Sequence, residues 1–294
     1  MGKTLADSTL EDAEKLWLGG EIQRAREAFR RARMHYHDDG DRAGEASTLG
    51  MLGDLESEVG HAAAARESYV DARTLFAHAG EQKGQAGMLV RLGQLARREG
   101  KVDEARQCLR SARELYDSAS DHCGLGHVEK RLGGIERDLG RHDLALDHYQ
   151  QALALYRRGN DTLGQASVLK RLAMVQRVLG HRDRAHADYE RALELYREAG
   201  DTLGEAATRR GLAHVLAALD DRAGARAALD GARQLYAAAG DLLGEAEVLV
   251  DLGRMIAPEE PGHARAHLRH AAKLYAGLGR DDAAAEAKGE AERL

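Results

Sequence analysis

Apolar residues recur three and four positions apart along this chain, and the whole hydrophobic and polar pattern repeats every 40 residues. Aligning the units at that offset gives columns. Leu52, Leu92, Leu132, Leu172, Leu212 and Leu252 form one, followed directly by Gly53, Gly93, Gly133, Ala173, Ala213 and Gly253. Gly44, Gly84, Gly124, Gly164, Gly204 and Gly244 open the unit, and an aromatic column from Tyr36 and Phe76 to Tyr236 and Tyr275 closes it. Spacing of this kind predicts helices rather than strands. A fixed period of this length predicts supersecondary units that bury their apolar faces only by stacking on each other.

Each unit reads as two helices. The first runs from about Gly44 to Val59, and its equivalents follow. Gly60, Gly100, Gly140 and Gly180 are expected to end it in the left-handed conformation. Asp103, Asp143 and Asp183 are expected at or near the start of the second helix, where a carboxylate can cap free N–H groups; that helix ends at Gly40, Gly80, Gly200 and Gly240, with Ser120 and Asn160 in the same column. Asp41, Asp121, Asp161, Asp201 and Asp241 then start the next pair. Glycine inside a helix costs about 1 kcal/mol relative to alanine. Its recurrence therefore implies close helix approach, with the aromatic column filling the space between adjacent units.

The predicted fold class is all-α: one α-solenoid domain over 1–294, a right-handed superhelix of antiparallel helix pairs. The repeats are approximately 6–45, 46–85, 86–125, 126–165, 166–205, 206–245 and 246–279, with a capping helix at 281–294. The first helix, around Leu10–Leu18, is degenerate and carries the only tryptophan, Trp17. Pro258 and Pro261, the only prolines, predict a distinct loop between the two helices of the last unit.

Composition changes this picture little. A net charge of −6 argues against a nucleic-acid partner. No apolar run is long enough to span a bilayer and no secretory leader is evident, so a cytoplasmic protein without membrane partners is expected. Cys108 and Cys123 make no disulfide framework and are expected to be reduced thiols. Lysine supplies eight of the 43 basic residues; arginine, alanine and glycine dominate, the composition of a GC-rich bacterial genome.

The Leu-Gly pairs at Leu52-Gly53, Leu92-Gly93, Leu132-Gly133 and Leu252-Gly253, with Ala145, Tyr149 and Ala152 or Ala185, Tyr189 and Ala192 in the second helix, resemble the tetratricopeptide repeat family. The usual unit of that family is about 34 residues. The longer unit with its Gly-Asp turn is similar to the repeats of Pins/LGN-type polarity scaffolds and their bacterial relatives. The resemblance implies that first helices line a concave groove, at positions two before, two after, five after and six after the Leu.

Read along those positions, the middle of the groove carries Arg97, Lys130, Arg137, Lys170, Arg177 and Arg210, with Gln94, Gly134, Met174 and His214 between them. Arg91, Arg131 and Arg171 flank the stripe. A basic stripe in an acidic protein is expected to steer an acidic peptide segment or tail into the groove, because guanidinium forks suit carboxylates. The alternative is a solvated face whose charges pair with Asp54, Asp138 or nearby glutamates.

His263, His267 and His270 share one helix face at a spacing that suits zinc or nickel. No cysteine or acidic co-ligand stands nearby, so exposed histidines are expected there and no metal is assigned. No enzyme motif occurs, and no cofactor is implied: Gly2-Lys3-Thr4 lacks the glycine-rich turn of a phosphate loop, and neither G-x-S-x-G nor H-E-x-x-H is present. The expected function is a non-enzymatic protein- or peptide-binding adaptor. Two alternatives stand beside it: a sensor whose groove binds a small anion or signalling peptide and controls a separate effector, and a self-assembling repeat protein of unassigned oligomeric state.

Overall fold

A computed structural model describes residues 4–294; Gly2 and Lys3 of the tripeptide excluded above as a phosphate loop lie outside the described residues. The chain forms two compact units, Met1–Arg141 and His142–Leu294. In the first, α1 (Leu5–Leu18) pairs with α2 (Ile22–Asp38), α3 (Arg42–Glu58) with α4 (Ala62–His78), and α5 (Gln82–Arg98) with α6 (Val102–Ser118); α7 (His122–Asp138) packs on α6. In the second, α8 (His142–Arg158) packs on α9 (Thr162–Val178), which pairs with α10 (Arg182–Ala199). Then α11 (Thr202–Ala218) pairs with α12 (Arg222–Ala239), α13 (Leu242–Ile256) with α14 (Pro261–Gly277), and α15 (Asp281–Glu292) closes on α14. No strand occurs among the described residues, and each unit is a stack of antiparallel helix pairs, the α-solenoid class.

The punctuation follows from local chemistry. Gly40, Gly60, Gly80 and Gly100 all adopt positive φ, and Ser120 and Asn160 adopt it in the same column at 49° and 54°. A left-handed residue there lets the chain reverse after these helices. Asp161 and Asp201 then accept the backbone N–H of Gly164 and Gly204 through Oδ1, both at 2.7 Å. These are N-caps as expected.

The second helices start near Asp103, Asp143 and Asp183 as expected, but at α6 and α10 the aspartate does not make the cap itself. Lys101 and His181 hold the N-cap positions of α6 and α10 and make no side-chain capping bond. Asp103 and Asp183 lie two residues further in, so they face the positive helix end through the dipole rather than closing it with a hydrogen bond. Asp143 likewise lies in the first turn of α8. The proline segment is a short turn: Pro261 takes the first position of α14, where its missing N–H is harmless. Glu259 and Glu260 are tied back to Arg222 and Arg226 of α12.

The small-residue columns have a direct packing cause. A Cβ at Gly44, Gly84, Gly124, Gly164, Gly204 or Gly244 would stand 2.3–2.5 Å from the aromatic ring that closes the preceding pair. At Gly53 it would meet the Tyr69 ring at 2.5 Å, and at Gly253 the Leu268 side chain at 2.8 Å. Only a hydrogen leaves room for the neighbouring ring or branched side chain, which is what keeps the helices in contact.

Two tyrosines of one column differ in a way that predicts opposite stabilities. The Tyr69 hydroxyl donates to Asp54 at 2.8 Å, whereas the buried Tyr149 hydroxyl has no partner. Fifteen residues before Tyr149, where Asp54 stands before Tyr69, the sequence has Gly134. A buried unsatisfied hydroxyl costs about 1–3 kcal/mol, and a satisfied one contributes about 1 kcal/mol. Tyr149→Phe is therefore expected to leave the melting temperature unchanged or raise it, and Tyr69→Phe to lower it, by calorimetry. A fall at Tyr149 would show that its hydroxyl is satisfied.

Candidate functional site

First helices supply the walls of a cavity within the first unit. It encloses about 660 Å³, a volume typical of ligand sites. Asp54, Ser57 and Glu58 come from α3, Val90, Arg91, Gln94 and Arg98 from α5, and His127 and Arg131 from α7; Trp17 of α1 stands at one end, and the Tyr69 and Tyr116 rings belong to the second helices behind. Asp54 is saturated: it takes the Tyr69 hydroxyl at 2.8 Å and the Arg91 Nε at 2.8 and 3.0 Å. The indole N–H of Trp17 donates to Glu58 at 2.9 Å, and Arg98 donates to the Ser57 hydroxyl at 3.0 Å.

Of the residues expected in the groove, Gln94, Arg97, Lys130 and Arg137 belong to the first unit, and Lys170, Met174, Arg177, Arg210 and His214 to the second. Several basic members carry their own counter-charge. Arg97 meets Asp138 at 2.6 Å, and Arg137 meets the same carboxylate at 2.8 Å. Burial pulls the Asp138 carboxyl up, but the two guanidiniums outweigh it and hold the group below its ordinary range. Arg210 meets Asp251 at 2.6 Å and also Glu247, and His214 approaches Asp251 at 3.4 Å. Against a desolvation effect of opposite sign, His214 and Arg210 keep Asp251 below the usual range. Lys130 also has a partner. Gln94 lies on the wall of the first cavity, while Arg97 turns to Asp138.

The α9 face is different. Lys170, Met174, Arg177 and Val178 follow at helical spacing along one side. Lys170 lies over the Tyr196 ring at 5.4 Å from its centroid. Burial, with Arg171 beside it, lowers its pKa. Arg177 interacts with the Tyr189 hydroxyl, and the buried Nε of Arg171 has no acceptor. None of these three cations forms an ion pair with a carboxylate among the described residues. Between them Met174 and Val178 are 36% and 60% exposed.

The three histidines of α14 do not converge. His263 bonds Glu260 at 2.8 Å, His270 is exposed, and burial with Arg233 nearby lowers the pKa of His267. Among the described residues no group of three potential metal ligands exists, and no helix is long and apolar enough to cross a membrane.

The sequence places Trp17 in the degenerate first helix but not in a site, and does not single out Glu58, Arg98 or His127. Glu58 and Arg98 stand six after the Leu, at an expected groove position that a search for cations at the other positions passes over. Trp17 lies in the degenerate first repeat and belongs to no column.

Comparison with known proteins locates this geometry. The Tetratricopeptide repeat family profile matches residues 84–158 and 125–198. No curated protein matches the chain. Among solved structures, BtubC from P. vanneervenii is similar at 23% identity and TM-score 0.60, over 81% of this chain and 93% of that one. A Rap protein complexed with Competence and Sporulation Factor is similar at 14% identity and TM-score 0.61, over 98% and 96%. The apo quorum sensor NprR from B. thuringiensis is similar at 12% identity and TM-score 0.61, over 98% and 87%. These likenesses are in fold. The Leu-Gly and Ala-Tyr columns, the helix pairs they build and the profile match all fall in the same register, so residues 84–198 carry tetratricopeptide repeats and the chain resembles tetratricopeptide repeat proteins in fold.

Proposed function

We propose that the chain is a non-enzymatic binding scaffold that takes an acidic peptide segment on the α9 face. One observation carries this reading: Lys170, Arg171 and Arg177 form no ion pair with a carboxylate, whereas Arg97 and Arg137 share Asp138 and Arg210 is held by Asp251 and Glu247. The half-buried Lys170 ammonium without an ion-pair partner is unfavourable, and an incoming carboxylate offsets that cost. Met174 and Val178 give an apolar residue of the same segment a place to pack. The acidic ligand is thus expected at part of the stripe, with Arg210 and His214 already occupied by Asp251. The Rap neighbour is complexed with Competence and Sporulation Factor and NprR is a quorum sensor; a sensor that passes a bound signal to a separate effector is accordingly the second reading.

The test is selection of a randomised heptapeptide display library on the immobilised protein, then fluorescence anisotropy with the winning sequence. Aspartate and glutamate next to an apolar residue are expected to dominate. Lys170→Ser with Arg177→Ser is expected to weaken binding at least tenfold, or about 1.4 kcal/mol, with helix content unchanged by circular dichroism. Selection of cationic or uncharged peptides, or full binding by the variant, would overturn the acidic reading.

A further inference from the structure

The cavity of the first unit holds two opposite charges that nothing neutralises. Glu58 accepts the Trp17 indole N–H at 2.9 Å and pairs with no cation among the described residues. Arg98 donates to the Ser57 hydroxyl at 3.0 Å and pairs with no carboxylate. Ser57 and Glu58 are consecutive on α3, so one turn of that helix tethers both, yet the two charges do not meet each other. Charges on the same walls behave otherwise: Arg91 is satisfied by Asp54 at 2.8 Å.

Each end has its own preference. An indole ring beside a carboxylate is a site for a cationic side chain, through its π-face and its counter-charge together. A guanidinium oriented by a hydroxyl is a site for a carboxylate. Gln94, one helical turn before Arg98 on the same wall, offers a donor and an acceptor suited to a peptide bond. The space of about 660 Å³ exceeds what a single amino acid fills. A purely acidic segment would meet Glu58 and Asp54, and a purely basic one Arg91 and Arg98.

We infer that the first-unit cavity binds a short peptide segment carrying a lysine or arginine and, a few residues away, a carboxylate, the cation against Trp17 and Glu58 and the anion against Arg98. This site shares no residue with the α9 face and does not depend on the function proposed for it.

Trp17 is the only tryptophan of the chain, so its emission reports occupancy of the cavity in the full-length protein. The probes are blocked peptides with one lysine and one glutamate separated by zero to three alanines. At least one is expected to change the emission saturably below millimolar concentration, with the affinity repeated by titration calorimetry. Replacing either charged residue of that peptide by alanine should weaken binding at least tenfold. Glu58→Gln should abolish the advantage of the lysine and keep that of the glutamate, and Arg98→Met should do the reverse. Both side chains are exposed, and circular dichroism confirms that the variants fold. Lys170→Ser with Arg177→Ser should leave this titration unchanged, which separates its failure from that of the acidic reading. A flat titration with every probe overturns the inference. So does binding in which Glu58→Gln and Arg98→Met lose the same peptides equally or lose none.

Discussion

Gly204→Ala is expected to destabilise the second unit by about 1–3 kcal/mol, the range for overpacking a filled core, although helix propensity alone would favour alanine by about 1 kcal/mol. The new Cβ would stand 2.3 Å from Cε1 and 2.4 Å from Cδ1 of Tyr196, and 2.7 Å from the carboxylate of Asp201. Neither neighbour yields freely. Tyr196 is 4% exposed, and Asp201 uses its other oxygen to cap the Gly204 N–H at 2.7 Å. A shift of about 2–4 °C in melting temperature per kcal/mol follows for a fold of this size. Gly289 is the control: it lies inside α15 and a Cβ there meets nothing within 4 Å. Gly289→Ala is expected to stabilise by up to about 1 kcal/mol. Combining Gly204→Ala with Tyr196→Leu should recover part of the loss, because the two residues contact and couple. Thermal scans in which both glycine variants move in the same direction would refute the packing account. A displaced Tyr196 would also disturb Lys170, which rests on its ring, so this glycine ties fold stability to the α9 face.

The contrast between these glycines explains what was legible in the chain alone. Columns such as Gly204 and Tyr196 repeat every 40 residues, and the forces behind them are local: a cap, a left-handed turn, a ring against a backbone. Helix starts and ends in the repeated units therefore fell within about two residues of expectation, as with Gly44–Val59 against the observed Arg42–Glu58, while the degenerate first helix starts at Leu5, five residues before the expected Leu10. The groove charges were harder. Arg97 reaches Asp138 and Arg210 reaches Asp251 across 41 residues in each case, one repeat plus one position. That offset is readable only when acids and bases are followed together along neighbouring helices. The basic stripe joins Arg97 and Arg210, which have carboxylate partners, with Lys170 and Arg177, which have none; the alternative of charges pairing with Asp138 describes Arg97 and Arg137. Trp17 escaped for the opposite reason: it stands in the one first helix that breaks the pattern, so no column marks it.

Acid should weaken the first unit through Glu56, and the size of that effect can be isolated. Glu56 is 4% exposed. It accepts from the Arg26 guanidinium of α2 at 2.5 and 2.8 Å and contacts His61 Nδ1 at 2.8 Å. Arg26, working against burial and helped by His61, holds its carboxyl below the reference value of 4.5. The folded group therefore binds a proton less readily than the unfolded one. Its contribution is complete above about pH 4.5 and is lost as pH falls from there through the lower folded pKa. Hydrogen bonds to charged partners contribute about 1.5–3 kcal/mol, so Glu56→Gln is expected to cost about 2 kcal/mol at pH 7. As pH falls below 4.5 the unfolded group takes up its proton before the folded one, and the gap between the two proteins should shrink. Urea unfolding of both at pH 7, 5, 4 and 3 measures it. Other carboxylates whose pKa is lowered, such as Glu136 and Glu205, titrate in both proteins and cancel in the difference. A gap that stays constant over this range would mean that Glu56 acts by its shape and not by its charge.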